Sequence, residues 1–146
     1  MPKTCGIEIK GSSAIVVLLE GVADNFKVLP TEFKKINLED SNNQADVKAF
    51  SAVINSFLKT HNFDSIGIKA RGTKGKFAGG AVSFKIEGLL QNTDYPVSII
   101  KGASMKAKLK DIAVEFTGVN NYQIEAMKVA YYLLLEVQKR SQKSDV

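Results

Sequence analysis

Residues 4–19 of the chain are Thr-Cys-Gly-Ile-Glu-Ile-Lys-Gly-Ser-Ser-Ala-Ile-Val-Val-Leu-Leu, and this stretch decides the fold. Apolar and polar residues alternate from Thr4 to Lys10, which is the period-two pattern of a β-strand. Gly11-Ser12-Ser13 supplies a tight turn. Ala14–Leu19 is a continuous apolar run rich in β-branched residues, typical of a buried strand. We therefore expect these two strands to pair as an antiparallel hairpin.

The composition indicates one globular domain. The chain has 146 residues, of which 45% are hydrophobic and 24% charged, ordinary values for a soluble protein. We expect a single domain over residues 1–142 and a frayed tail at 143–146. The sequence has no apolar run of about 18 residues, so no membrane partner is expected. The first residues lack the apolar core of a signal peptide, and the predicted location is cytoplasmic.

The charge and the rare residue types narrow the possible functions. The net charge of +5 allows a polyanionic partner such as nucleic acid without requiring one. The chain has a single cysteine, Cys5, which excludes an internal disulfide framework. It also has a single histidine, His61, and one residue of each type is too few for a Cys/His metal site. Cys5 lies on the apolar face of its strand and is predicted to be a buried, unreactive thiol.

Beyond the hairpin, alternating and helical patterns continue to the end of the chain. Gly21–Thr31 contains turn residues and is predicted to be a loop. Ser41 or Asn43 can cap the first helix, Gly88 suggests a close contact between helix and strand, and Asn120 with Gln123 resembles a capping box. The predicted elements are strands at 32–38, 65–70 and 97–100, and helices at 44–60, 80–92, 105–110 and 120–142.

The order of elements predicts the topology. It is βββαβαβαα, in which the first three strands form a meander and each later strand follows a helix. Strands joined through helices pair in parallel by right-handed crossovers. The sequence therefore predicts an α/β fold with a mixed five-stranded sheet and helices on both faces.

The stretch Lys69–Gly80, Lys-Ala-Arg-Gly-Thr-Lys-Gly-Lys-Phe-Ala-Gly-Gly, carries four cations and four glycines between a strand and a helix. Flexible backbone, cationic side chains and a helix N-terminus together suit a phosphate. The spacing is not that of a P-loop, because Phe77 follows Gly75-Lys76. A solvent-exposed loop whose glycines merely turn the chain is the alternative. The predicted phosphate or nucleic-acid contacts are Lys69, Arg71, Lys74, Lys76, Gly79, Gly80 and Lys85.

The opening Gly6–Ser12, followed by the apolar second strand, resembles the start of Holliday-junction resolvase-type domains. The resemblance implies a ribonuclease H-like fold in which the acid of the first strand binds a divalent metal. Glu8 would hold that place, and Glu125 would match the metal-binding acid near the C-terminus. What the resemblance implies is a catalytic pair of Glu8 and Glu125 holding Mg²⁺ or Mn²⁺.

A closer resemblance covers nearly the whole chain. The run Thr73–Lys85 and the opening Cys5-Gly6-Ile7-Glu8 resemble an uncharacterised bacterial family, catalogued as domain of unknown function 3010. That family name implies no activity, and a shared fold does not fix function.

One departure from the resolvase pattern bears on function. The resolvases have an acid near the end of the fourth strand, where this chain has Lys69 and Ala70. Two metal ions about 3.5–4 Å apart need carboxylates on both, and Glu8 with Glu125 could hold one at best. The first hypothesis is a nucleic-acid-binding domain with an incomplete divalent-metal nuclease site. The alternatives are a non-catalytic protein–protein interaction module and a small phosphoryl-ligand enzyme. A homo-oligomer is compatible with the sequence, but no feature indicates one.

Overall fold

The computed structural model describes residues 1–71 and 80–144, with side chains described as far as Arg140. A 3₁₀ turn at Asn121–Gln123 leads directly into the last helix. The strands and helices are β1 (Lys3–Lys10), β2 (Ser13–Val22), β3 (Asn25–Leu29), β4 (Lys35–Asn37), α1 (Gln44–Thr60), β5 (Ser65–Lys69), α2 (Ala81–Gln91), β6 (Ser98–Ile100), α3 (Gly102–Leu109) and α4 (Ile124–Ser144).

The sheet is mixed, and β1 lies at its centre. The strand order is β3-β2-β1-β5-β6, and β4 pairs with the other end of β2. β1 runs antiparallel to β2, with Gly6 opposite Val17, and parallel to β5, with Gly6 opposite Gly67. β6 continues the parallel side next to β5. The predicted hairpin and the predicted mixed sheet are therefore confirmed.

The region after β2 differs from the prediction. Gly21–Thr31 was expected to be a loop, and this is wrong, because β2 continues to Val22 and β3 occupies Asn25–Leu29. Only Ala23 and Asp24 connect the two strands, while Gly21, at φ 137°, and Asn25 are paired residues of the strands themselves. Of the strand predicted at 32–38, only Lys35–Asn37 is a strand. The described residues thus form six strands instead of five.

Helices cover both faces of the sheet, as predicted. Ile7 and its alternate neighbours on β1 pack in a core beneath α1 and α2, with Phe50 of α1 and Ile86 of α2. On the opposite face, Val17 of β2 packs with Tyr131 and other residues of α4. Burial of these apolar side chains supplies the main driving force for folding.

Three local predictions were tested by the structure. Asn43 caps α1, since its Oδ1 accepts a hydrogen bond of 3.1 Å from Asp46 N. Asn120 N donates to Gln123 Oε1 over 3.0 Å in the capping box before α4. The close strand contact expected at Gly88 is wrong, because a Cβ there would meet no atom within 4 Å. Among the described residues, no helix combines the length and apolar character needed to cross a membrane.

Candidate functional site

Helix α4 lies directly against β1, and this contact sets which residues meet at the site. Thr4 Oγ1 donates a hydrogen bond of 2.8 Å to Ala130 O. A Cβ on Gly6 would lie 2.0 Å from Ala126 O, so only glycine permits the approach. Two residues along a strand advance about 6.7 Å and four along a helix about 6 Å. Thr4 therefore lies against Ala130 and Gly6 against Ala126. The next residue on the same face of β1, Glu8, lies against the first turn of α4.

Glu8, Lys69 and Glu125 meet at this first turn. Glu8 and Lys69 lie on adjacent parallel strands, each one residue beyond the paired residues Ile7 and Ile68. Lys69 Nζ lies 2.6 Å from Glu125 Oε1 and 3.9 Å from Glu8 Oε2. The two carboxylates predicted to act together are therefore near each other, and the ammonium group of Lys69 contacts both.

Burial affects the two carboxylates differently. Burial raises the pKa of Glu8, as does the nearby Glu125 carboxylate, while Lys69 lowers it without cancelling the rise. Burial also acts to raise the pKa of Glu125, but hydrogen bonds from Lys69 and Lys128 outweigh it and leave that pKa below its ordinary value. Lys128 Nζ lies 3.1 Å from Glu125 Oε2. Glu125 is thus held ionised between two ammonium groups.

An open cleft of about 650 Å³ adjoins this cluster. Its lining combines four lysines and one acid with the apolar residues Met105, Leu109 and Phe116. We call it the lysine cleft, and its lining residues are Lys69, Gly102, Met105, Lys106, Leu109, Lys110, Phe116, Glu125 and Lys128.

Three of these lysines were not predicted as site residues. Gly102, Lys106 and Lys110 recur every fourth residue, so along α3 and its C-cap they share one side. Lys106 and Lys110 are exposed, and neither forms an ion pair with any described residue. The four-residue spacing was a usable signal. Phe116 and Lys128 come from distant parts of the chain, and no local pattern indicated them.

Arg71 is engaged within the protein. Its Nη2 lies 2.9 Å from Glu87 Oε2, and only 10% of its side chain is exposed. Its guanidinium carbon lies 4.7 Å from the centre of the Phe84 ring, and Nη1 donates to Lys69 O over 3.3 Å. Glu87 therefore neutralises the arginine that was predicted to bind phosphate.

The remaining predicted contacts are dispersed or not described. Gly80 is the N-cap of α2, and its carbonyl oxygen accepts from Ser83 Oγ over 2.6 Å. Lys85 is exposed and donates to Ser41 O, in the segment that precedes α1. Lys74, Lys76 and Gly79 lie outside the described residues.

Cys5 behaves as the sequence predicted. It is fully buried in the core, and burial raises the pKa of its thiol far above the ordinary value. The group therefore stays protonated and unreactive at neutral pH.

The donor set does not fit the divalent metal that the resemblance implied. A Mg²⁺ or Mn²⁺ site is built from oxygen ligands, and a two-metal site needs several carboxylates. Within residues 1–71 and 80–140, no three side chains of His, Cys, Asp or Glu are grouped as metal ligands. Glu8 and Glu125 are the carboxylates present, and Lys69 contacts both.

Comparison with known proteins confirms the fold and the family. Thermus thermophilus RuvC has a similar structure, with a TM-score of 0.71 and 10% identity over 94% of this chain and 96% of RuvC. T. thermophilus RuvC in complex with a Holliday junction substrate has a TM-score of 0.67 and 9% identity, over the same shares of the two chains. At such identities the likeness shows the ribonuclease H-like fold alone. No protein of curated function matches the sequence. A family model described as "Protein of unknown function (DUF3010)" matches residues 2–133, so the chain belongs to the DUF3010 family, as its sequence predicted.

Proposed function

We propose that this protein binds the phosphate backbone of nucleic acid in the lysine cleft. The observation that carries the proposal is the charge of the cleft, in which four lysines face a single acid, Glu125. Lys106 and Lys110 have no acidic partner among the described residues, so their ammonium groups are available to an external anion. Lysine contacts with phosphates supply most of the sequence-independent affinity for nucleic acid.

Three further features support this proposal. The lining residues Met105, Leu109 and Phe116 offer apolar surface to a sugar or an unstacked base. The basic stretch Lys69–Gly80 begins at Lys69, which itself lines the cleft. T. thermophilus RuvC, which shares the fold, has been solved with a Holliday junction substrate. A four-way junction is therefore one of the ligands to be tried.

The proposal does not include strand cleavage. Glu8 and Glu125 were predicted to hold Mg²⁺ or Mn²⁺, but both are in contact with the Lys69 ammonium. Arg71 is likewise not among the proposed contacts, because Glu87 neutralises it.

The test is a titration followed by fluorescence anisotropy, with labelled single-stranded, duplex and four-way-junction DNA at several salt concentrations. Binding is expected to weaken as salt rises. The double variant Lys106→Ala/Lys110→Ala should reduce the slope of log K against log[salt] on duplex DNA by about 1.8, at about 0.9 per lost contact.

The matched control is Lys48→Ala/Lys59→Ala, which removes the same charge from exposed positions on α1, across the sheet from the lysine cleft. Its slope should equal that of the wild type. Absence of binding to all three DNAs at low salt would overturn the proposal. An equal decrease in slope in both double variants would also overturn the proposal, because the decrease would then depend on net charge and not on the position of the lysines.

A further inference from the structure

The ammonium group of Lys69 lies between the two carboxylates that the fold would use for metal. It is within 2.6 Å of Glu125 Oε1 and within 3.9 Å of Glu8 Oε2. From these contacts we propose that Lys69 is a built-in cation that takes the place of the divalent metal. In this respect the chain departs from the metal site implied by its fold.

Burial explains why a cation is needed at this point. Only 17% of the Glu8 side chain and 34% of the Glu125 side chain are exposed. Two carboxylates brought together at such exposure repel each other and lose hydration, and a positive charge beside them stabilises their ionised forms. Lys69 supplies it from the end of β5, without any ion from solution.

The local charge is already balanced. With both carboxylates ionised, Glu8 and Glu125 contribute two negative charges, and Lys69 and Lys128 contribute two positive ones. A divalent cation placed against the same carboxylate oxygens would lie within a few ångströms of two ammonium groups. Coulomb repulsion at that range opposes its binding strongly. The site is therefore closed to metal by residues of the chain itself.

Where metal ions do not bridge protein and phosphate, lysines alone must hold the phosphate. Nucleic-acid binding, if the proposed function holds, is therefore expected to be unchanged by EDTA. The assignment itself concerns metal and carboxylates only, so it is tested without nucleic acid.

The first measurement is a Mn²⁺ titration of the wild-type protein, with free Mn²⁺ followed by its electron paramagnetic resonance signal. The Glu8→Gln variant is titrated alongside. The expected result is that both proteins leave the same amount of Mn²⁺ free. Binding by the wild type that Glu8→Gln abolishes would overturn the proposal, and this comparison needs no substitution at Lys69.

The second measurement replaces the Lys69 ammonium with a carboxylate. Lys69→Asp places a third carboxylate beside Glu8 and Glu125, and it should bind one Mn²⁺ at least about tenfold more tightly than the wild type. Lys48→Asp is the matched control, with the same charge change at an exposed position on α1. A folded Lys69→Asp protein that binds Mn²⁺ no more tightly than Lys48→Asp would overturn the proposal.

A milder variant serves if Lys69→Asp does not fold. Lys69→Met keeps most of the aliphatic side chain and removes its charge, so that Glu8 loses the Lys69 ammonium and Glu125 keeps only that of Lys128. Mn²⁺ is expected to raise the Tm of Lys69→Met and not that of the wild type. Equal shifts in the two proteins would contradict the assignment. Because every sample lacks nucleic acid, failure of the proposed function would alter none of these results.

Discussion

Gly6 and Ala126 are in direct backbone contact between β1 and α4, since a Cβ on Gly6 would lie 2.0 Å from Ala126 O and 2.5 Å from Ala130 N. These are backbone atoms of a helix and cannot move aside as a flexible side chain can. The contact places the first turn of α4, with Glu125, beside Glu8. The absence of one side chain therefore lets Glu125 of α4 come close to Glu8 of β1.

Gly6→Ala is accordingly expected to destabilise the protein by about 3 kcal/mol or more, because overpacking at a rigid contact forces the backbone to shift. Urea unfolding followed by circular dichroism would measure the change in the free energy of unfolding. Gly88→Ala is the control, because the added methyl group meets no atom within 4 Å. Equal stability of Gly6→Ala and the wild type would show that α4 does not lie this close to β1.

Gly88→Ala should itself increase stability. Gly88 is exposed in the last turn of α2, and alanine is favoured over glycine inside a helix by about 1 kcal/mol. An increase of about 0.5–1 kcal/mol in the free energy of unfolding is expected, read from a higher urea midpoint at unchanged m-value. A lower free energy of unfolding would contradict the open space beside Gly88, because it would mean that the added methyl group meets another part of the protein.

Glu8 and Glu125 are expected to titrate on opposite sides of the ordinary value of 4.5. The depressed pKa of Glu125 adds stability that is present above pH 4.5 and is lost as pH falls through the folded-state pKa. The raised pKa of Glu8 has the opposite effect, opposing folding as pH rises from 4.5 through the folded-state value. Carbon-13 NMR of the carboxyl groups would measure both values.

Removing the Lys69 charge changes both pKa values in one direction. In Lys69→Met the pKa of Glu8 and the pKa of Glu125 should both rise, because the ammonium lowers each of them. Lys128→Met is the matched variant, and it should raise the pKa of Glu125 alone. A Glu8 pKa insensitive to Lys69→Met would mean that the two side chains are not close in solution.

Arg71 and Glu87 form a largely buried ion pair, with exposed fractions of 10% and 17% and a separation of 2.9 Å. Arg71→Met leaves Glu87 without its partner and should cost about 3 kcal/mol, since breaking a buried pair leaves an uncompensated charge. The double variant Arg71→Met/Glu87→Met should cost less than the sum of the two single variants, and thermal or urea unfolding gives all three values. Additive losses would show that the two groups are not coupled.

Much of the fold could be predicted from local patterns. The alternation from Thr4 to Lys10, the apolar run Ala14–Leu19 and the helical stripe of α1 each belong to one element, and all three were identified. The strand Asn25–Leu29 was missed because its polar residues and the neighbouring turn residues hide a two-residue alternation. Only pairing with β2, a tertiary interaction, makes this short segment a strand.

The sequence by itself determined the family, the central hairpin and the absence of an acid at Lys69 and Ala70, because these depend on residue identity and local spacing. The tertiary structure decided where the side chains point. It engaged Arg71 with Glu87, left Lys106 and Lys110 facing the lysine cleft, and placed the Lys69 ammonium between Glu8 and Glu125. These relationships join residues up to 117 positions apart, between Glu8 and Glu125, and that longest one depends on the packing of α4 on β1 that Gly6 permits. Local sequence patterns do not encode contacts across such distances.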